Sequence, residues 1–211
     1  MGPASKVYVQ YGAGLCGPAA WMNFDISPTL RLQRLPLVGR LFTSVGPRFP
    51  ESVRYGDIVT GLPLKWDLCD AMYCSHVLEH LSLHDLRQAL RNTFRHLKPG
   101  KRFRFVVPDL EQLAADYLAD QSPGAAITFM EDSYLGKATR PRGVAGLLRQ
   151  SWGNSSHLWM WDYKSLAKEL KDVGFQGVRR AEFGDSGDTM FDAVEDERRW
   201  HKCLGMECWR P

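Results

Sequence analysis

The sequence predicts an α/β protein built on one doubly wound, mostly parallel sheet with an antiparallel finish. Three observations predict it. Short apolar segments alternate with amphipathic ones along most of the chain. Near the N-terminus the apolar Val7-Tyr8-Val9 breaks into Gly12-Ala13-Gly14-Leu15-Cys16-Gly17, and a second apolar segment, Trp21 to Phe24, ends in Asp25. In mid-chain, a stripe of leucines at helical spacing leads into the nearly continuous apolar run Phe103 to Val107, as expected of a strand covered on both faces.

Bulk properties narrow the class. A chain of 211 residues has room for one domain with a sizeable core, and residues 1–211 are read as that domain. A net charge of +3 is too small to argue for nucleic acid. Arg31, Arg34, Arg40 and Arg48 share one acid-free stretch, and Lys137, Arg140, Arg142 and Arg149 share another. They read as solvated surfaces or as anion-binding patches. The cysteines Cys16, Cys69, Cys74, Cys203 and Cys208 are odd in number, lack CxxC spacing and have no histidine cluster beside them. That pattern predicts reduced thiols in a cytoplasmic protein and no metal site. No run reaches the ~18 apolar residues of a membrane span. Met1 to Lys6 has no apolar core, so no secretory signal is expected.

The elements follow in order. A first strand begins near Lys6, turns at the glycines, and a second ends at Asp25. Pro28 opens a leucine-rich segment, interrupted by Pro36, that predicts one helix or two short ones. Ser52 to Ile58 reads as a third strand ending in Gly56-Asp57-Ile58, and Leu68 to Ser75 as a fourth. Leu83, Leu86, Leu90, Phe94 and Leu97 form one buried helical stripe, with Ser82 and Asp85 as its capping box and Lys98-Pro99-Gly100 as its stop. After the fifth strand, Asp109 caps a helix carrying Leu110, Leu113, Tyr117 and Leu118. From Gln121 to Asn154 the pattern fades, and such a loop suits a lid or binding element. Asp162 caps a helix ended by Gly174, Val178 to Phe183 reads as a strand, and an acidic stretch from Asp185 leads to a last strand around Leu204 to Trp209.

The glycine turn with its acid is the candidate ligand site. Glycine allows a sharp turn and close approach of a ligand, and an acid at the end of the next strand can accept both hydroxyls of a ribose. Only ten residues lie between Gly14 and Asp25. A dinucleotide site needs a full helix there, with its acid about 20 residues on. The short spacing suits a nucleoside ligand without a pyrophosphate, S-adenosylmethionine being the obvious one.

Four pieces carry a family resemblance. They are Tyr11-Gly12-Ala13-Gly14; Asn23-Phe24-Asp25-Ile26-Ser27-Pro28; Ser75-His76-Val77-Leu78-Glu79-His80-Leu81; and His96-Leu97-Lys98-Pro99-Gly100 running into Phe105-Val106-Val107-Pro108-Asp109-Leu110. Together they resemble a class I S-adenosylmethionine-dependent methyltransferase of the methyltransferase-11 type. The resemblance covers Lys6 to Leu118, with a weaker match from Trp159 to Phe175. It implies a Rossmann-like sheet of seven strands, the last antiparallel, with helices on both faces. It also implies that Gly12, Ala13 and Gly14 pass under the methionine part of the cofactor, and that Asp25 with Ile26 holds the ribose. Asp57 and Ile58 would flank the adenine, and Ser75 and His76 would lie nearest the sulfonium. Two departures stand out: Gln10 occupies a position that is often acidic, and the helix after the glycine turn is missing or very short.

The expected activity is methyl transfer to a small-molecule or glycan-type acceptor. The alternative is a degenerate methyltransferase fold serving as a non-catalytic cofactor-binding or scaffold subunit. Of the histidines, His84, His96 and His201 are expected on solvated surfaces, and His80 in a structural role. His76 is expected to position the cofactor or act as a base. His157, at the inner edge of a lid formed by residues 121–157, is the candidate base for a hydroxyl acceptor, or else a packed residue holding that loop.

Overall fold

The computed structural model describes residues 6–35, 48–139 and 156–211. Pro36, Arg40, Arg140, Arg142 and Arg149, all used in the sequence reading, lie outside the described residues.

Among the described residues seven strands form one sheet: β1 Tyr8–Tyr11, β2 Met22–Asp25, β3 Val53–Tyr55, β4 Cys69–Ser75, β5 Leu97–Pro108, β6 Gln176–Ala181 and β7 Cys203–Trp209. Their spatial order is β3-β2-β1-β4-β5-β7-β6. The first five pair in parallel, and β7 runs antiparallel to both β5 and β6. The chain reverses direction in the sheet order at β1 and β4, so the ends of these strands face the crevice where open sheets bind ligands.

Helices α1 Pro28–Gln33, α2 Leu83–His96, α3 Leu110–Ala119, α4 Ala125–Asp132, α5 Tyr163–Val173 and α6 Glu197–Trp200 surround the sheet. The predicted caps are present. Ser82 accepts the Asp85 N–H at 3.2 Å, Asp109 accepts that of Glu111 at 2.9 Å, and Asp162 accepts that of Ser165 at 2.7 Å. Gly174 closes α5 at φ +112°, where a side chain would be strained.

The strand period of two sends alternate residues to different covers. Val9, Met72, Phe103 and Phe105 face α2 and α5, packing on Leu86, Leu90, Leu166 and Leu170. Tyr8, Trp21, Tyr73 and Val106 face the other way, beneath Phe191, Val194 and Trp200 of the β6–β7 connection. That connection takes the place of a helix between β1 and β2. Residues 15–20 form only turns, as the short spacing predicts, and the 3-10 turn Thr189–Ala193 fills the space. The Trp21 indole N–H donates to the Met190 carbonyl at 3.0 Å.

The same face buries an ionic cluster. Arg104 is fully buried and paired with Asp185 at 2.7 Å, with Glu195, and with Glu207 at 3.7 Å. Arg179 adds contacts to Asp185 at 2.6 Å and to Glu207 at 2.7 Å. Burial alone would raise the Asp185 carboxyl, but Arg179 and Arg104 pull it down to about 2.

Some expectations are corrected. β3 ends at Tyr55, so Asp57 and Ile58 belong to the following turn. β5 already begins at Leu97; Lys98-Pro99-Gly100 lies within it, with the Gly100 N–H bonded to the Arg210 carbonyl at 2.8 Å. The 121–154 stretch contains α4, whose Phe129 meets Tyr117 of α3 at 5.6 Å. The acidic stretch after β6 holds a 3-10 turn and α6. His96 is buried rather than solvated. It accepts the Leu62 N–H at Nε2 (3.2 Å) and packs on Trp66, and burial lowers its pKa.

Candidate functional site

The site is the carboxyl rim of β1 to β4. After Tyr11 the chain turns through Gly12 at φ +65° and Gly14 at φ +53°, a region that favours glycine. A Cβ on Gly12 would stand 2.1 Å from Val77 Cγ2, so the turn after β1 touches the turn after β4. A Cβ on Gly14 would meet nothing within 4 Å, so open space lies above the loop. Ala13 is buried, its N–H bonded to the Phe24 carbonyl at 3.0 Å.

Asp25 closes β2 with its carboxylate held in place. Oδ2 accepts the Gly14 N–H at 2.8 Å and Oδ1 accepts the Ser27 N–H at 2.7 Å. Each oxygen keeps a second lone pair for a hydroxyl donor. Ile26 beside it is exposed and presents an apolar surface. Gln10, the departure from the acidic pattern, is buried and donates to the Cys16 carbonyl at 2.9 Å and to Asn23 Oδ1 at 2.6 Å. It ties the glycine turn to β2. Asp57 accepts the Val59 N–H at 2.8 Å and stays partly accessible. Ile58 is buried in the main core with its carbonyl bonded by Asn92, so Asp57 is the accessible member of that pair.

At the end of β4, Ser75 and His76 are engaged from across the sheet. Arg199 of α6 donates to Ser75 Oγ at 2.7 Å and to the Ser75 carbonyl at 2.9 Å. His76 sits at φ +51° with Nε2 2.9 Å from the Arg199 carbonyl and Nδ1 3.1 Å from Glu79 Oε1. Burial alone would lower its pKa, yet Cys203, Glu79 and the Arg199 carbonyl raise it to about 9. His76 is therefore a held cation at neutral pH, unsuited to act as a base there.

His157 returns to this rim from the other side. Its N–H bonds the Tyr134 carbonyl at 3.3 Å, and Nε2 stands 4.0 Å from Glu79 Oε1. Burial, the largest influence, lowers its pKa and leaves the ring neutral. His80 lies edge-on to it at 5.0 Å. The structure thus makes two groups of the predicted residues: Gly12, Ala13 and Gly14 with Asp25, and His76 with His157 around Glu79. Sequence reasoning missed Glu79, Arg199 and Cys203 as rim residues. Glu79 stands inside the quoted motif, but nothing in the spacing of Arg199 or Cys203 marks them. A surface hollow lined by Trp66, Asp67, Arg95 and Arg210 opens at the opposite rim, away from this chemistry.

The methyltransferase-domain family matches residues 15–180. The chain belongs to this family. It is a class I, S-adenosylmethionine-dependent methyltransferase, as the motifs imply. No curated protein matches the sequence. Among solved structures, the methyltransferase resembles a chain from the complex between the Haloferax volcanii Trm112 methyltransferase activator and a putative methyltransferase. The TM-score is 0.50 at 16% identity, covering 98% of this chain and 83% of that one. An S-adenosylmethionine-dependent methyltransferase from Archaeoglobus fulgidus gives a TM-score of 0.50 at 14% identity, covering 98% and 86%. Haemonchus contortus phosphoethanolamine N-methyltransferase 2 in complex with S-adenosyl-L-methionine gives 0.50 at 12% identity, and this methyltransferase spans 50% of that chain's length. At such identities the likeness is one of fold. No helix among the described residues is long and apolar enough to cross a membrane.

Proposed function

We propose that this methyltransferase passes the methyl group of S-adenosylmethionine to a small-molecule or sugar-like acceptor. In this reading Gly12, Ala13 and Gly14 lie under the cofactor's methionine part, and Asp25 with Ile26 holds its ribose. Asp57, the accessible member of the Asp57–Ile58 pair, flanks the adenine, while Ser75 and His76 stand nearest the sulfonium. The observation that carries it is the joining of Gly14 to the Asp25 carboxylate beneath open space. The fit to a nucleoside is chemical. A carboxylate already oriented by two backbone donors still has lone pairs for two ribose hydroxyls, and these bonds are charge-assisted.

The sulfonium supplies the leaving group, so the residues of this chain chiefly align two reactants, an effect worth about 7–11 kcal/mol. His76, held at both ring nitrogens, serves to position. The described parts of the expected lid, residues 121–139 and 156–157, lie toward the acceptor side in this reading, with His157 at the inner edge facing Glu79. Trp159 lies 5.9 Å from Trp161, tilted against it, and remains 43% exposed, an apolar ring face of the kind a sugar packs on.

Calorimetric titration with S-adenosylmethionine, its demethylated product and NAD tests the reading. Binding of the two S-adenosyl ligands and not of NAD is expected, followed by methyl transfer to members of a panel of hydroxylated and sugar-like acceptors. NAD binding without S-adenosyl binding would overturn it. Cofactor binding with no transfer to any acceptor would favour the scaffold reading.

A further inference from the structure

We propose that Glu79, His80 and His157 form a binding site for a divalent transition metal ion of the zinc type. Each offers one ligand atom, and the three atoms lie within 4.8 Å of one another. Ligands about 2.1 Å from a tetrahedral ion stand roughly 3.4 Å apart, so small side-chain rotations close the set.

The carboxylate provides the first argument. Glu79 is fully buried, and neither of its oxygens has a well-formed hydrogen bond among the described residues. The nearest donor, His76 Nδ1, is 3.1 Å from Oε1 and leaves Oε2 without a partner. With His76 beside Oε1 only, the fully buried Oε2 stays unsatisfied, which is costly, and coordination of a metal ion would satisfy it.

The histidines provide the second. His80 Nδ1 lies 3.1 Å from the Ser156 carbonyl. Donation of its N–H to that carbonyl leaves the Nε2 lone pair free, which is how metal-binding imidazoles are usually oriented. His157 is buried, with Nε2 4.0 Å from Glu79 Oε1. The backbone holds the two sides together. The N–H groups of Leu158 and Trp159 both donate to the Glu79 carbonyl, at 2.8 and 3.1 Å.

The donor set selects the ion. Two imidazoles and one carboxylate, with a position left open, suit zinc or a similar borderline ion. Magnesium and calcium prefer oxygen ligands throughout. Such an ion would pin His157 to the turn after β4, beside the cofactor rim. It would also take the Nε2 lone pair, so that His157 holds a metal instead of receiving a proton.

The test uses purified protein stripped with a chelator and then dialysed. Titration with Zn²⁺ should show one tight site. Titration with Co²⁺ should give the visible absorption of a four- or five-coordinate ion, without the thiolate charge-transfer band that Cys203 would add. His80→Gln, His157→Gln and Glu79→Gln should each weaken Zn²⁺ binding by more than about 100-fold, beyond the roughly 10–100-fold that losing a mere supporting partner costs. The exposed His84→Gln should bind as wild type. If circular dichroism shows that Glu79→Gln is unfolded, the partly exposed His80 carries the test. No tight Zn²⁺ site in the wild type, a Co²⁺ spectrum unchanged in the His80 and His157 variants, or a thiolate band would overturn the proposal. S-adenosylmethionine calorimetry on the same samples reads the cofactor site separately.

Discussion

The Asp25 carboxylate accepts the Gly14 N–H at 2.8 Å, so the acid closing β2 and the turn closing β1 are one unit. Asp25→Ala removes this bond and the one from Ser27 together. Hydrogen bonds to a charged group are worth roughly 1.5–3 kcal/mol each, so S-adenosylmethionine affinity should fall at least about tenfold. Fold stability should also drop, by about 1–3 kcal/mol in urea melts. Unchanged affinity in calorimetry would reduce Asp25 to a support of the loop.

Gly12 and Gly14 should respond differently to alanine. Both sit at positive φ, which costs an alanine roughly 1–2 kcal/mol. Gly12→Ala also drives a methyl into Val77, whose branched side chain has few alternative rotamers, and so should destabilise the fold more. Gly14→Ala meets open space and should spare the fold beyond that strain, while its methyl points where the cofactor passes. The expected pattern is a larger loss of melting temperature for Gly12→Ala, and for Gly14→Ala a smaller one accompanied by a loss of cofactor affinity. Wild-type affinity in the second variant would contradict the cofactor path.

The cluster around Arg104 predicts acid sensitivity. Asp185 has a folded pKa of about 2, against about 3.9 when unfolded. A depressed carboxyl contributes its stability above the unfolded value and loses it as pH falls toward the folded one. Wild type should therefore exceed Asp185→Asn by at most about 2 kcal/mol above pH ~4, and the gap should close by pH ~2. Denaturant melts across that range check the sign. Arg104→Met should be worse at neutral pH, costing about 3–5 kcal/mol, because it leaves the buried Glu195 carboxylate without its cation, whereas Glu207 keeps Arg179.

His157→Ala should lower turnover by roughly 100-fold or more while leaving S-adenosylmethionine affinity nearly unchanged. If His157 is a metal ligand, wild-type turnover should also vanish with a chelator and return with Zn²⁺, and the variant should not respond to either. If it is the base itself, chelation should have no effect. Full turnover in His157→Ala would leave it a packing residue.

Much of this protein was legible in its sequence. Strand and helix periods, the Ser82, Asp109 and Asp162 caps and the Gly174 stop are local, set by neighbours a few residues away, and they appear as read. The glycine turn, Asp25 and the family motif are also contiguous pieces. The short spacing from Gly14 to Asp25 correctly left no room for a helix. Other features depend on which distant segments the sheet brings together. His96 is buried because the turn after β3 covers it, donating the Leu62 N–H to its ring, a partner no local pattern names. The acidic stretch after β6 reads only as a connection to the last strand, yet it becomes the cover of one sheet face because Arg104 and Arg179 neutralise Asp185, Glu195 and Glu207 there. Glu79, His80 and His157 meet for the same reason. β4 and the segment entering α5 end on one rim, which brings an acid and two imidazoles together beside His76, the Tyr134 ring and backbone groups.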